Sequence, residues 1–375
     1  MMKWTVKLLN CPVGGSCFLF GLALACCGPC TLCANSSISP IEQAGGVINK
    51  KDGRIVEVSL AGRRLTKPIL VELQSFKDLA FLNLYSTNFG DDDVAFIEGL
   101  KSLRLLFLDS TSLTDRGVLK LGGLSNLVTL TLDDNRITDT GLRIVNRLDA
   151  LEHLSLSGTE VTDAGVRQLA RAKKLKSLSL SRTNVGDAGI KALVTLEGLE
   201  SLYLYHTRIS DEGLRFIKAL KKLERLNVSN TAITDKGLRH LDNAELRALQ
   251  LDGVPITDEG VSQLKMLRKL DWLTVKDTKI TGSGLSALKD IKGLRKLYLS
   301  DSPVTDEGVS GISVLVSLQI LYLDGTRISD QGLKEILRLK ALKMIQLEKT
   351  KVTYVGASKL AQAMPDLKII MEFDP

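Results

Sequence analysis

The sequence predicts an α/β solenoid, one strand–turn–helix coil of about 24 residues stacked about thirteen times. Apolar residues recur at a fixed step, at Ile55, Leu79, Leu103, Leu127, Leu151, Leu175, Leu199, Leu223, Leu246, Leu270, Leu294, Leu318 and Leu342. The step is 24 residues except before Leu246, where it is 23. Hydrophobic residues make up 44% of the 375-residue chain and aromatic ones only 5%. Aliphatic side chains must therefore fill the interior, which suits thin layers better than a thick globule.

The elements follow from spacing within one coil, Leu151 to Lys174. Leu154 and Leu156 are two apart and share a strand face, leaving Ser155 and Ser157 on the other. Val166 and Leu169 are three apart, which is helical spacing. Between them lies Thr162-Asp163-Ala164-Gly165. The aspartate recurs at Asp91, Asp115, Asp139, Asp187, Asp211, Asp235, Asp258, Asp306 and Asp330, where a carboxylate can cap a helix start and suits the helix dipole. A calcium column needs six to eight converging oxygens per ion, which one aspartate per coil does not supply. The glycine two residues on recurs from Gly117 to Gly356; since glycine in a helix costs roughly 0.5–1 kcal/mol relative to Ala, close approach between coils is the expected reason.

The L-x-x-L-x-L spacing of Leu151, Leu154 and Leu156, with the Thr-Asp-x-Gly-Leu/Val tail, resembles the leucine-rich repeat family. The tail is similar to bacterial repeats and to the cysteine-containing subfamily of F-box proteins, although no repeat here carries that cysteine. The resemblance implies a horseshoe solenoid with a parallel concave sheet, convex helices and a binding role. Many such repeats use an asparagine ladder, whereas this chain mostly places threonine: Thr87, Thr111, Thr159, Thr183, Thr207, Thr231, Thr278, Thr326 and Thr350, with Asn135 the lone asparagine.

A coil buries about seven apolar side chains, each contributing roughly 1.5–3 kcal/mol, against about 1–2 kcal/mol of ordering cost for each residue. It cannot fold alone, so the array is one cooperative body whose weak point is expected near Glu245, beside the short step.

The start of the chain reads differently. Lys3 and Lys7 precede an uncharged run through Phe18, Leu19, Phe20, Leu22 and Leu24, so residues 1–25 read as a signal peptide or anchor, 26–54 as a Cys-rich segment and linker, and 55–375 as the repeat domain. Ala23-Leu24-Ala25 before Cys26 fits signal-peptidase cleavage and resembles a lipoprotein box that would acylate Cys26; an uncleaved span is a third reading. Cys27-Gly28-Pro29-Cys30 spells a dithiol motif similar to thioredoxin's, but no strand or helix signal surrounds it. All six cysteines precede residue 34, so no disulfide staples the repeats.

The outward strand positions should line one sheet on the order of 60 Å long, at about 4.8 Å per coil. Five of the six tyrosines fall there: Tyr85, Tyr203, Tyr205, Tyr298 and Tyr322. Phe81, Phe107, Trp272, His153 and His206 join them, with Asp109, Asp133, Asp134, Asp252, Asp277, Asp301 and Asp324 around them. Exposed rings are favoured at protein interfaces, although β propensity alone also draws rings to strands. The expectation is a non-catalytic, exported or membrane-tethered monomer that binds a protein or peptide, without catalytic residues, metal or cofactor. The net charge of +7 is modest and lacks a nucleic-acid footprint. The alternative, by resemblance, is a substrate-receptor module of a ubiquitin ligase, which needs an F-box bundle where residues 1–54 stand.

Overall fold

The computed structural model describes residues 39–243 and 245–371. By its contacts the chain divides into Met1–Ser39 and Pro40–Pro375, and every element below belongs to the second unit. The reading of residues 1–25, Cys26 and the Cys27–Cys30 pair lies outside the described residues.

Fifteen strands form one sheet in sequential order. From Arg54–Ser59 onward all neighbours are parallel and one coil apart. Leu154, for example, stands between Leu130 and Leu178. The helical segments are short, such as Asp163–Leu169, and Gly141–Arg147 and Ser283–Leu288 wind as 3-10 turns. Helices of this length do not persist alone. They hold here because Leu151, Leu154, Leu156, Val161, Val166 and Leu169 are buried against the same positions of adjoining coils. Among the described residues, no helix is long and apolar enough to cross a membrane.

Two ends of the stack escape the repeat pattern. Upstream of Ile55, a turn of helix at Pro40–Gln43 and strand Val47–Lys51 precede the first parallel strand. Val47–Lys51 pairs antiparallel with Arg54–Ser59 through Asp52-Gly53, both at positive φ, the turn chemistry of a two-residue hairpin. Ile41 is fully buried, and its backbone N–H donates to Glu72 Oε2 at 3.0 Å, so this piece covers the first coil as a solenoid cap must. At the other end strand Lys368–Ile370 adds a fourteenth coil. It has Asp366 where the leading leucine is due, with Leu367 buried beside it.

The 23-residue step is absorbed by a polar substitution in the core. Asn243, 1% exposed, stands where adjoining coils place Leu220 and Leu267. Its Nδ2 donates to the carbonyls of Leu220 (2.9 Å) and Ile217 (3.3 Å), and the helix above it is cut to Asp235–Leu238. Glu245, beside the expected weak point, accepts from Lys269 at 2.7 Å.

Each of the thirteen strands from Arg54–Ser59 to Met344–Gln346 is followed by a left-handed residue. Ser86, Ser110, Asp134, Arg182, His206, Asn230, Asp277, Asp301 and Lys349 have φ between 49° and 59°, and Gly62, Gly158, Gly253 and Gly325 fill the remaining positions. The conformation turns each N–H onto the next coil, as where Ser110 donates to the Asp133 carbonyl at 2.7 Å. A non-glycine residue held this way costs roughly 1–2 kcal/mol. Ser110→Gly is therefore expected to raise stability by about 0.5–1 kcal/mol, part of the relief being lost to the freer unfolded chain, as measured by urea unfolding. Destabilisation would show that Ser110 is not strained.

Candidate functional site

The outward strand positions carry the rings in three groups. Phe81 and Phe107 meet at 5.4 Å, which leaves Phe107 8% exposed. Phe107 was expected to be open to a partner; its neighbours cover it instead, so Phe81 and the half-exposed Tyr85 are what this group offers. In the middle, Tyr203 ends strand Ser201–Tyr203, and Tyr205 lies 5.9 Å from His206. Tyr85, Tyr205 and His206 are not strand residues as the spacing suggested, because strands Phe81–Asn83 and Ser201–Tyr203 end before them. His206 is the exposed left-handed residue after the strand. His153 is half-buried, registered between Thr129 and Ser177, and burial pushes its imidazole pKa down.

The third group is the most ordered. Tyr298 and Tyr322 stack at 4.3 Å with planes 9° apart, and Trp272 meets Tyr298 edge-on at 5.8 Å. The Tyr322 hydroxyl donates to Met344 Sδ at 3.8 Å. Lys276 lies over the Tyr298 ring at 5.3 Å and Lys296 over Trp272 at 5.8 Å. Ring faces are thus turned on one another and on ammonium groups, so the rib presents mainly ring edges.

The seven aspartates of this face divide into kinds that spacing does not separate. Asp109 accepts from Thr131 Oγ1 and the Asp133 N–H at 2.7 and 2.8 Å, and Asp133 accepts from Ser155 Oγ and the Ser157 N–H. Asp252 does the same for Thr274 and Lys276, and Asp324 for Ser300 and Glu348. Burial pushes all four carboxyl pKa values up, Asp133 to about 7 with help from the neighbouring charge of Asp109. Asp134 pairs with Arg182 two coils away at 2.9 Å, across Gly158, where a Cβ would collide with the Asp134 carboxylate. Asp277 and Asp301 stay exposed. The face is therefore less acidic than its composition implies.

Behind the sheet, the aspartate and glycine columns work as one joint. The helix cap is the preceding residue: Thr162 Oγ1 accepts from the Ala164 N–H at 3.2 Å. Asp163 begins the helix and reaches onward, its carboxylate accepting the Gly186 N–H of the next coil at 2.7 Å. Likewise Asp139 accepts both the N–H (2.8 Å) and the hydroxyl (2.6 Å) of Thr162. The expectation that each aspartate caps its own helix is thus corrected by one coil. The recurring glycine makes room for that carboxylate, since a Cβ on Gly189 would lie 2.6 Å from Asp163 Oδ1. Where Gly282 replaces the aspartate, the Thr305 N–H donates to the Thr281 carbonyl instead, and Gly282 packs directly on Gly308 and Gly311. Among the described residues no group of His, Cys, Asp or Glu is arranged to hold a metal ion.

The leucine-rich repeat family model, described as "Leucine Rich repeat", matches residues 123–143, 151–170, 171–194, 219–241 and 294–313. The matched segments lie within the array whose sheet keeps a one-coil register throughout, the arrangement of a leucine-rich repeat solenoid. The chain is a leucine-rich repeat protein. An internalin from Listeria monocytogenes is similar in structure, with a TM-score of 0.67 at 22% identity over 85% of this chain and 87% of that one. So is a leucine-rich repeat protein from Leptospira interrogans, with a TM-score of 0.60 at 21% identity over 85% and 90%. At such identities the likeness is one of fold. No curated protein matches the chain by sequence.

As a leucine-rich repeat protein it departs from an asparagine ladder in a way the structure explains. Each column threonine donates inside its own coil, as Thr159 Oγ1 does to the Leu156 carbonyl at 2.6 Å. Asn135 spans two coils: its amide donates to the carbonyls of Leu108 and Leu132, and its Oδ1 accepts from Thr111 Oγ1. A hydroxyl has a single hydrogen to donate, so Ser302 in the same column bonds the Val275 carbonyl of the preceding coil at 2.9 Å while each threonine bonds its own. At the threonine positions the connection between coils is made by the aspartate joint, as where Asp139 holds Thr162.

Proposed function

We propose that this leucine-rich repeat protein is a non-catalytic scaffold that holds a protein or peptide on the outward face of its sheet. The observation that carries the reading is the aromatic rib of Trp272, Tyr298 and Tyr322, continued in the middle of the face by Tyr203, Tyr205 and His206. Packed rings of this kind bury much area at little rotamer cost and anchor interfaces. Their faces are turned inward on one another, so the exposed ring edges favour backbone carbonyls and side chains of a polypeptide over a sugar ring stacked face-on. Phe81, Tyr85 and His153 extend the face; Phe107 supports Phe81 from beneath.

We further propose that the chain acts as an exported monomer, tethered through Cys26 when that cysteine is acylated; the mass of the mature N-terminus tests this. The binding face is tested with peptides selected from a display library on the wild-type protein. Tyr203→Ala with Tyr205→Ala is expected to weaken their capture at least tenfold while leaving thermal unfolding nearly unchanged, because the loss of two interface tyrosines costs about 2 kcal/mol or more. Equal capture by the variant would overturn the reading.

A further inference from the structure

We propose a second binding site on the helix side of the solenoid, an arginine-lined recess that takes a phosphate or sulfate group. The recess, about 420 Å³, is lined by Arg143, Asn146, Arg167, Gln168 and Arg171. Arg143 and Arg167 occupy the same position of successive coils, and Arg171 follows Arg167 by four residues, in the turn just past helix Asp163–Leu169. All three are exposed, while Leu142, Val145, Val166 and Leu169 of the same segments are buried.

Several cations on this side are paired with carboxylates. Arg116 is paired with Asp91 and Asp92, Arg215 with Glu212, Lys218 with Asp242, Arg268 with Asp290 and Arg338 with Glu335. Among the described residues none of the three recess arginines has such a partner, although all three line one recess and like charges repel. The column aspartates of these two coils, Asp139 and Asp163, are engaged by Thr162 and Gly186 of the following coils. Gln168 is itself held in place by its amide, which donates to the Asp139 carbonyl at 2.8 Å. The result is a fixed floor, an amide at Asn146 and three guanidinium forks around one cavity. Guanidinium forks match the tetrahedral oxyanions of phosphate and sulfate through paired N–H donors, and several converging on one group bind it better than separated charges do.

The ligand group is therefore a divalent oxyanion, either free or carried as an ester. Calorimetric titration of the full chain at constant ionic strength separates the two sources, with inorganic phosphate as one probe and phenyl phosphate as the other. Binding of at least one probe is expected, weakened about tenfold by Arg143→Gln with Arg167→Gln and unchanged by Arg268→Gln. Tighter binding of phenyl phosphate assigns the site to an esterified group, and tighter binding of inorganic phosphate assigns it to the free ion. Absence of binding by both probes, or equal binding by wild type and the double variant, overturns the proposal. Because these arginines lie on the helix side, the double variant should capture sheet-face peptides normally, which keeps the two sites distinguishable.

Discussion

Gly213→Ala is expected to lower stability by about 1–3 kcal/mol, the reverse of the 0.5–1 kcal/mol gain that alanine brings to an ordinary helix. A Cβ at this position would lie 2.6 Å from Asp187 Oδ1 and 3.3 Å from the Ile209 Cβ. Asp187 has no room to yield, because it accepts the Ser210 N–H at 2.8 Å and the Ser210 hydroxyl at 2.6 Å. Ser210 in turn caps its helix by accepting from the Glu212 N–H. Displacing one carboxylate thus loosens the start of the next coil. If the joint is real, Asp187→Ala and Gly213→Ala should be strongly non-additive, the glycine change costing little once the carboxylate is gone. Urea unfolding of the four proteins in the cycle measures this, and additive effects would show that the glycine column has another cause.

The second large effect is one of pH. Asp133 titrates near 7 in the folded protein, pushed up by burial and by Asp109 beside it, against a usual value of 3.8. Between about pH 4 and 7 the folded chain therefore holds a proton that the unfolded chain has released, so this carboxyl's contribution is greatest in mild acid and is lost as pH rises through 7. Asp133→Asn keeps an oxygen for Ser155 and Ser157 without the charge. The variant is expected to be more stable than wild type at pH 8, by on the order of 2–4 kcal/mol, with the difference shrinking to about 1–2 kcal/mol at pH 5 and vanishing below about pH 4. Other carboxylates act in the opposite direction. In Asp91 burial pushes up but the bonds from Thr114 and Arg116 outweigh it, and in Asp330 the backbone and hydroxyl bonds from Thr353 pull down. Their contributions are present above the usual carboxylate range and lost as pH falls below it. Stability should consequently peak between about pH 4 and 6. A wild-type midpoint independent of pH from 5 to 8 would contradict the assignment to Asp133.

Much of this was legible in the sequence because a solenoid writes each structural need once per coil. The leucine step located the strands, and the glycine column was recognisable as close approach before the carboxylate that fills the space was known. Features that bridge coils were not legible in the same way. Asp163 looks like a cap for its own helix, and only the stack shows it serving Gly186 in the next coil. Phe107 lies at an outward position, yet Phe81 lies against it and its other neighbours complete its burial, which periodicity along one strand does not reveal. The left-handed column was hidden because Ser, Arg, His and Lys occupy it beside Gly, Asn and Asp. The N-terminal hairpin lies outside the repeat, although Asp52-Gly53 between Val47–Lys51 and Arg54–Ser59 was its signal. The arginine recess needs two coils side by side, so no single repeat announces it.

The central claim, that the outward sheet face is the binding surface, is tested most directly by hydroxyl-radical footprinting of the protein with and without a selected peptide. Tyrosine supplies its own control: Tyr203, Tyr205, Tyr298 and Tyr322 lie on the sheet face, while Tyr354 lies on helix Tyr354–Ala363 and is 68% exposed. The expected result is loss of labelling at Trp272 and the sheet-face tyrosines, with Tyr354 unchanged. Protection of Tyr354 or the helix side, with the sheet-face rings labelled as before, would contradict it.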